Sequence, residues 1–113
     1  MKTFLLLFRS DPAKLAQRSP EEMQDVTKRW MDWIGSIAAQ DKLADRGNRL
    51  EPAGKVVRPD SLVTDGPYTE IKETLGGYSV VKAASLEEAV ELAKGCPIFT
   101  VGGNVEVREI SVL

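Results

Sequence analysis

The chain has 113 residues, 42% hydrophobic and 28% charged, which is the balance of one folded domain (1–113) with its own core. Fifteen Lys and Arg against seventeen Asp and Glu leave a net charge of −2, which offers no footprint for direct nucleic-acid binding. There is no histidine and a single cysteine, so Ser-His-Asp and Cys-His catalysis, a Cys/His zinc site and an intrachain disulfide are excluded within the chain.

The apolar run Phe4-Leu5-Leu6-Leu7-Phe8 predicts a strand buried on both faces, hence a central one. It is too short for a signal-peptide core, and charged Arg9 and Asp11 follow it. No stretch approaches the ~18 apolar residues of a membrane span, so a cytoplasmic protein with no membrane partner is expected. Ser10-Asp11-Pro12 breaks the strand. Ser19 as N-cap, Pro20 at the first helical position and Glu22 form a capping box that opens a helix. Met23, Val26, Trp30, Trp33, Ile34 and Ile37 form one apolar stripe that carries this helix to Ala39 or Gln40. A weak strand is expected over 46–50. Lys55-Val56-Val57-Arg58 and Ser61-Leu62-Val63-Thr64 flank Pro59-Asp60 as a small hairpin. Residues 77–83 form a strong strand. Ser85 and Glu88 make a second capping box, opening a helix with Leu86, Ala89, Val90 and Ala93 facing inward and Gly95-Cys96-Pro97 as its stop. Val105, Val107 and Glu109 then alternate with Glu106, Arg108 and Ile110, a strand with one wetter face near a sheet edge or interface.

This order is the β-α-β-β-α-β arrangement of a ferredoxin-like α+β fold with an inserted β-hairpin: an antiparallel sheet with both helices on one face. The first strand is apolar on both faces, so the face opposite the helices needs a cover. In so short a chain a second copy is the expected one, making a homodimer.

The individuality lies in Thr64-Asp65-Gly66-Pro67-Tyr68-Thr69-Glu70-Ile71-Lys72-Glu73-Thr74-Leu75-Gly76-Gly77-Tyr78. Asp65-Gly66-Pro67 is turn chemistry, and Pro67 lacks the N–H that an aspartate two residues earlier usually accepts from. The Asp65 carboxylate therefore reaches Tyr68 or beyond, finds a side-chain donor, or faces solvent or a ligand. If extended, the following segment sets Tyr68, Glu70 and Lys72 on one side and Ile71 and Glu73 on the other. As a general acid or base, Asp65 needs an apolar setting and a cationic partner, for which Lys72, Arg9 and Arg46 are the candidates. Tyr68 is placed to orient a substrate. Gly76-Gly77 has neither the length nor the Lys of a phosphate-binding loop, and no clustered carboxylates suggest a metal, so no cofactor is expected. Trp30 and Trp33 read as core, and Cys96 as a small buried apolar residue.

Thr64-Asp65-Gly66-Pro67-Tyr68, Glu70-x-Lys72-Glu73 and Leu75-Gly76-Gly77-Tyr78 together resemble the signature of the YciI-related, or DGPF-domain, family. The likeness extends through the Lys-x-Phe-Leu-Leu-Leu start, the Ser-Pro-Glu-Glu-Met and Ser-Leu-Glu-Glu-Ala helix starts and the Val-Glu-Val-Arg ending. The resemblance implies a dimeric α+β barrel, in which two sheets pack back to back and each subunit keeps a cleft between sheet and helices. Relatives in the wider group use a His-Asp pair there for proton abstraction or dehalogenation of small ring compounds. That pair is absent here, and Asp65 is the residue the resemblance carries over. Some members stand beside, or are fused to, extracytoplasmic-function sigma factors, and the resemblance thereby implies a regulatory or accessory role in transcription.

Two readings follow. In one, the protein binds a small molecule in a closed cleft between sheet and helices near Asp65, with lyase- or isomerase-like acid–base chemistry, and the cleft buries the carboxylate. In the other, it is a non-catalytic dimeric accessory module acting through a protein partner. Its cleft is then filled by side chains, and Asp65 ties the loop down.

Overall fold

The computed structural model describes residues 1–66 and 74–112. These form strands β1 (Lys2–Ser10), β2 (Leu43–Arg49), β3 (Gly54–Val57), β4 (Val63–Gly66), β5 (Thr74–Ala83) and β6 (Asn104–Glu109), with helices α1 (Pro12–Ala16), α2 (Pro20–Ala39) and α3 (Leu86–Ala93). Strands β2-β5-β1-β6, in that spatial order, make one antiparallel sheet, and β3-β4 make a separate hairpin. The fold is the expected ferredoxin-like α+β arrangement. Among the described residues the sheet is open and does not close into a barrel.

β1 is central, between β5 and β6, because alternation supplies it with two apolar faces. Phe4, Leu6 and Phe8 are buried under the helices beside Val81 and Ala83 of β5. Leu5 and Leu7 point the other way and are half-buried.

Both long helices start where their caps place them. Ser19 Oγ accepts from the Glu22 N–H at 3.1 Å, and Ser85 Oγ accepts from the Glu88 N–H at 3.2 Å. From α2, Trp33 and Ile37 enter the core, with Val26, Trp30 and Ile34 packed against it. Phe8, Trp30 and Trp33 meet edge to face, with centroids 4.8, 5.9 and 5.5 Å apart. These three rings fill the space between α2 and the sheet.

Four features depart from the sequence expectation. The second hairpin strand runs Val63–Gly66 and not 61–64, because Ser61 is taken up by the turn, so Asp65 and Gly66 pair in the ladder. Ser10-Asp11-Pro12 does not only break the strand: Asp11 Oδ1 accepts from the Ala13 N–H at 2.9 Å and Pro12 begins the short α1. The residues that end a strand are also a cap and a first helical position. Strands β2 and β5 begin at Leu43 and Thr74, earlier than their composition suggests, because each is extended by pairing to a neighbour. On α3, Ala89 and Ala93 are buried, but Leu86 and Val90 are 47% and 36% exposed. The fully buried positions of α3 are the small Ala89 and Ala93, with Leu92 packed beside them against the core, and the helix turns Leu86 and Val90 out.

The hairpin stands apart as an arm between β2 and β5, its strands touching each other and making few contacts with the rest of the described residues. Val57↔Val63 and Lys55↔Asp65 face each other across the ladder. A tight turn over Pro59–Ser61, with Asp60 and Ser61 at positive φ, closes the tip, and the Arg58 N–H donates to the Leu62 carbonyl at 2.6 Å.

Candidate functional site

Asp65 is not buried in a cleft between sheet and helices, as expected, because it belongs to the separate hairpin. It sits in β4 on the arm, its side chain 86% exposed and its carboxylate ion-paired with the Lys55 ammonium. The ladder brings the two together, since facing residues of an antiparallel pair share one side of the hairpin. Asp65 thus takes one of the outcomes open to it in sequence, a side-chain donor, and that donor is Lys55. The pair borders a hollow of about 430 Å³, open to solvent, with Ala53, Gly54 and Gly66 as its other walls. Gly54 faces Gly66 in the ladder, one row along from the charged pair.

Arg9 lies on the open face of the sheet, its Nη2 3.4 Å from Glu106 Oε1. Arg46 lies at an irregularity in β2, and its carbonyl accepts from Ser79 Oγ at 2.7 Å. No hydrogen bond or ion pair joins any two of Asp65, Arg9 and Arg46, which stand on three different elements. Tyr68 and Lys72 fall outside the described residues.

The open sheet face carries a pattern that single-residue reading of the sequence missed. One row runs Asn48, Tyr78, Leu7, Glu106 across the four strands. Asn48 Nδ2 donates to the Tyr78 hydroxyl at 3.2 Å, and Glu106 lies between Arg9 at 3.4 Å and Arg108 at 3.8 Å. Leu5 and Val80 face each other in the next row, so the centre is apolar and both edges are polar. The alternation in β1 and β6 held the signal, but pairing register was needed to read it.

A second charged contact fixes the scaffold. Lys42 Nζ, just before β2, lies 3.0 Å from Glu88 Oε1 at the start of α3. The hydrogen bond and charge of Lys42 hold the Glu88 carboxyl below its ordinary value, aided by a backbone hydrogen bond at Ala84. A carboxyl depressed in the folded state stabilises it above the unfolded value and loses that contribution as pH falls through the folded value. In urea titrations run from neutral pH into the acid range, wild type should lose more stability than Glu88→Gln. Parallel pH profiles for the two would show the pair to be without effect.

Cys96 is buried, and burial pushes its thiol up to about 12. It is a packing group, as read from sequence, and holds no reactive thiolate. It lines a groove of about 420 Å³ with Arg29, Asp32, Trp33 and Thr100 on the helical side of the molecule. Among the described residues no three Cys, Asp or Glu side chains gather as a metal-ligand set, and no helix is long and apolar enough to cross a membrane.

Comparison with known proteins adds a family. The model of the YCII-related domain matches residues 2–113. An uncharacterised protein of Rhizobium meliloti (strain 1021) is 35% identical over 54 residues, 47% of this chain and 44% of that protein, so the match spans less than half of either.

Proposed function

The chain belongs to the YCII-related domain family, and we propose on that premise that it is a single-domain cytoplasmic homodimer that binds a small polar molecule at the arm, with Asp65 as the central contact. The observation that supports this is the Asp65–Lys55 pair standing over an open hollow walled by two glycines. A carboxylate and an ammonium side by side suit a ligand with its own donor and anionic group, and both charges remain within reach of solvent. Lyase- or isomerase-like proton transfer asks more: an apolar, water-poor setting for the carboxylate. In the single chain Asp65 is 86% exposed, so binding comes first and any acid–base chemistry depends on further cover.

The homodimer rests on the open sheet face. Leu5, Leu7, Tyr78 and Val80 form an apolar centre flanked by Glu106 and Arg108, acid and base on one edge, which suits a self-complementary, two-fold contact. A non-catalytic accessory module is the second reading. It is favoured by the ring-filled layer between α2 and the sheet and by the way Lys55 ties Asp65 to the arm.

A thermal-shift screen of small organic anions and ring acids, run on wild type and Asp65→Asn together, tests the first reading. A compound should raise the midpoint of wild type by several degrees and leave Asp65→Asn unmoved. Equal shifts in both proteins, or none in either, would favour the accessory module.

A further inference from the structure

The two edges of the main sheet differ. β2 is broken by register irregularities on either side of Asp45 and by the positive φ of Gly47, which spoils it as a template for another strand. β6 follows β1 over six residues without a bulge, a glycine or a proline. The Ile110 N–H donates to the Thr3 carbonyl at 2.9 Å, so the backbone groups of Ile110, Arg108 and Glu106 turn toward β1. Those of Val105, Val107 and Glu109 turn outward, because successive residues of a strand bond to opposite sides. Among the described residues no strand or loop backbone pairs with that outer row.

An apolar ledge runs beside the same edge. α3 packs on β6, β5 and β1 through Ala89, Leu92 and Ala93. At about 100° per residue, Glu88 lies on one flank of that stripe and Leu86 and Val90 on the other. Glu88 reaches Lys42 just before β2, at the far edge of the sheet. The exposed Leu86 and Val90 therefore lie toward β6, on the same side of the sheet as Val105 and Val107. They are four helical positions apart, ~6 Å, close to the ~6.8 Å between alternate side chains of a strand. On the other side of β6, Arg9 and Arg108 both flank the single carboxylate of Glu106, which leaves one positive charge in surplus.

We propose that β6 receives an extended segment of a partner protein as a fifth, antiparallel strand, with alternate apolar side chains on Leu86 and Val90 and an acidic side chain between them on Arg108. The outer N–H and C=O row fits a strand and no other element, and the ledge and the charge select its side chains. A second copy would set one surplus positive charge beside another, whereas an acidic segment neutralises it. The site needs no ligand at Asp65, since the arm springs from β2 at the opposite edge.

Fluorescence anisotropy on the full chain with a labelled peptide, acetyl-Thr-Val-Glu-Val-Glu-Val-Thr-amide, tests this. Binding should weaken at least about tenfold in the double variant Leu86→Ser/Val90→Ser, whose exposed positions leave the circular dichroism spectrum unchanged. Methylating the valine nitrogens, which face β6 in an antiparallel strand, should weaken it as much, and methylating the glutamate nitrogens should not. Arg108→Glu should reverse the preference for this peptide over its lysine counterpart. Amide exchange of Val105, Val107 and Glu109 should slow when the peptide is added. Absence of binding, equal binding of the valine-methylated peptide, or unchanged exchange at these three amides overturns strand addition and leaves ligand binding at Asp65 standing. Exchange that is already slow without peptide and quickens on dilution assigns the edge to a second copy and overturns the partner.

Discussion

Trp33→Ala should lower the stability of the fold by about 4 kcal/mol, the range for losing a buried aromatic ring with partial collapse of the cavity. Trp33 is 8% exposed and touches three distinct parts of the chain. Its ring stands edge to face with Phe8 of β1 at 5.9 Å and with Trp30 at 5.5 Å. Its indole N–H donates to the Leu92 carbonyl at 3.0 Å, tying α2 to the end of α3. Gly95 lies against the same indole, where a Cβ would stand 3.1 Å from Cδ1. Truncation thus removes ring packing and leaves a carbonyl without its donor. Trp33→Phe keeps most of the ring contact and should cost about 1–2 kcal/mol, mainly for that carbonyl. Urea denaturation followed by far-ultraviolet circular dichroism gives both values. Equal losses for the two variants would show that the hydrogen bond, not the packing, carries the effect.

Gly47→Ala should be as damaging, by about 3 kcal/mol or more, although it adds one methyl group at a sheet edge. Gly47 has φ of 76°, and an added Cβ would stand 1.7 Å from the Tyr78 carbonyl oxygen. That oxygen belongs to the backbone of the central strand β5 and has nowhere to go. The irregularity around Gly47 is held on both sides: the Asp45 carboxylate accepts from the Gly47 N–H at 2.8 Å, and buried Ser79 donates to the Arg46 carbonyl at 2.7 Å. Gly35→Ala is the control of opposite sign. Gly35 lies inside α2 with nothing within 4 Å of an added Cβ, so alanine should stabilise by about 0.5–1 kcal/mol through helix propensity. Thermal melts of both variants decide the matter, and a tolerated Gly47→Ala would mean that β2 can shed its bulge.

The Gly47 bulge shows where reading the sequence stops. Nothing near Asp45-Arg46-Gly47 in the chain marks a close approach, because the opposing carbonyl is Tyr78, more than thirty positions away. The helices were legible for the opposite reason. Ser19 with Glu22 and Ser85 with Glu88 are three residues apart and bond as capping residues whatever the rest of the chain does. Leu86 and Val90 mark the boundary between the two cases. Their helical spacing was correct, but the stripe that meets the core is Ala89, Leu92 and Ala93, which only the packing of α3 on the sheet selects.

The same division runs through the candidate site. The Asp-Gly-Pro turn singled out Asp65, and the family match supports the reading of the surrounding motif. That its partner is Lys55, ten positions back, came only from the hairpin register, which sets Lys55 opposite Asp65. Arg9 was chosen as a cation near the first strand, and the fold engages it with Glu106, 97 positions away.

What the sequence by itself determined is the order of the strands and the two long helices, the ends of both long helices, the two-faced character of β1 and the absence of histidine chemistry. Each depends on residue type or on contacts within a turn of chain. Tertiary structure alone decided the β2 bulge, the outward turn of Leu86 and Val90, the exposed arm and the pairing of Asp65. Those features depend on distant segments meeting in one register, and a shift of one residue would turn every side chain of a strand to the other face.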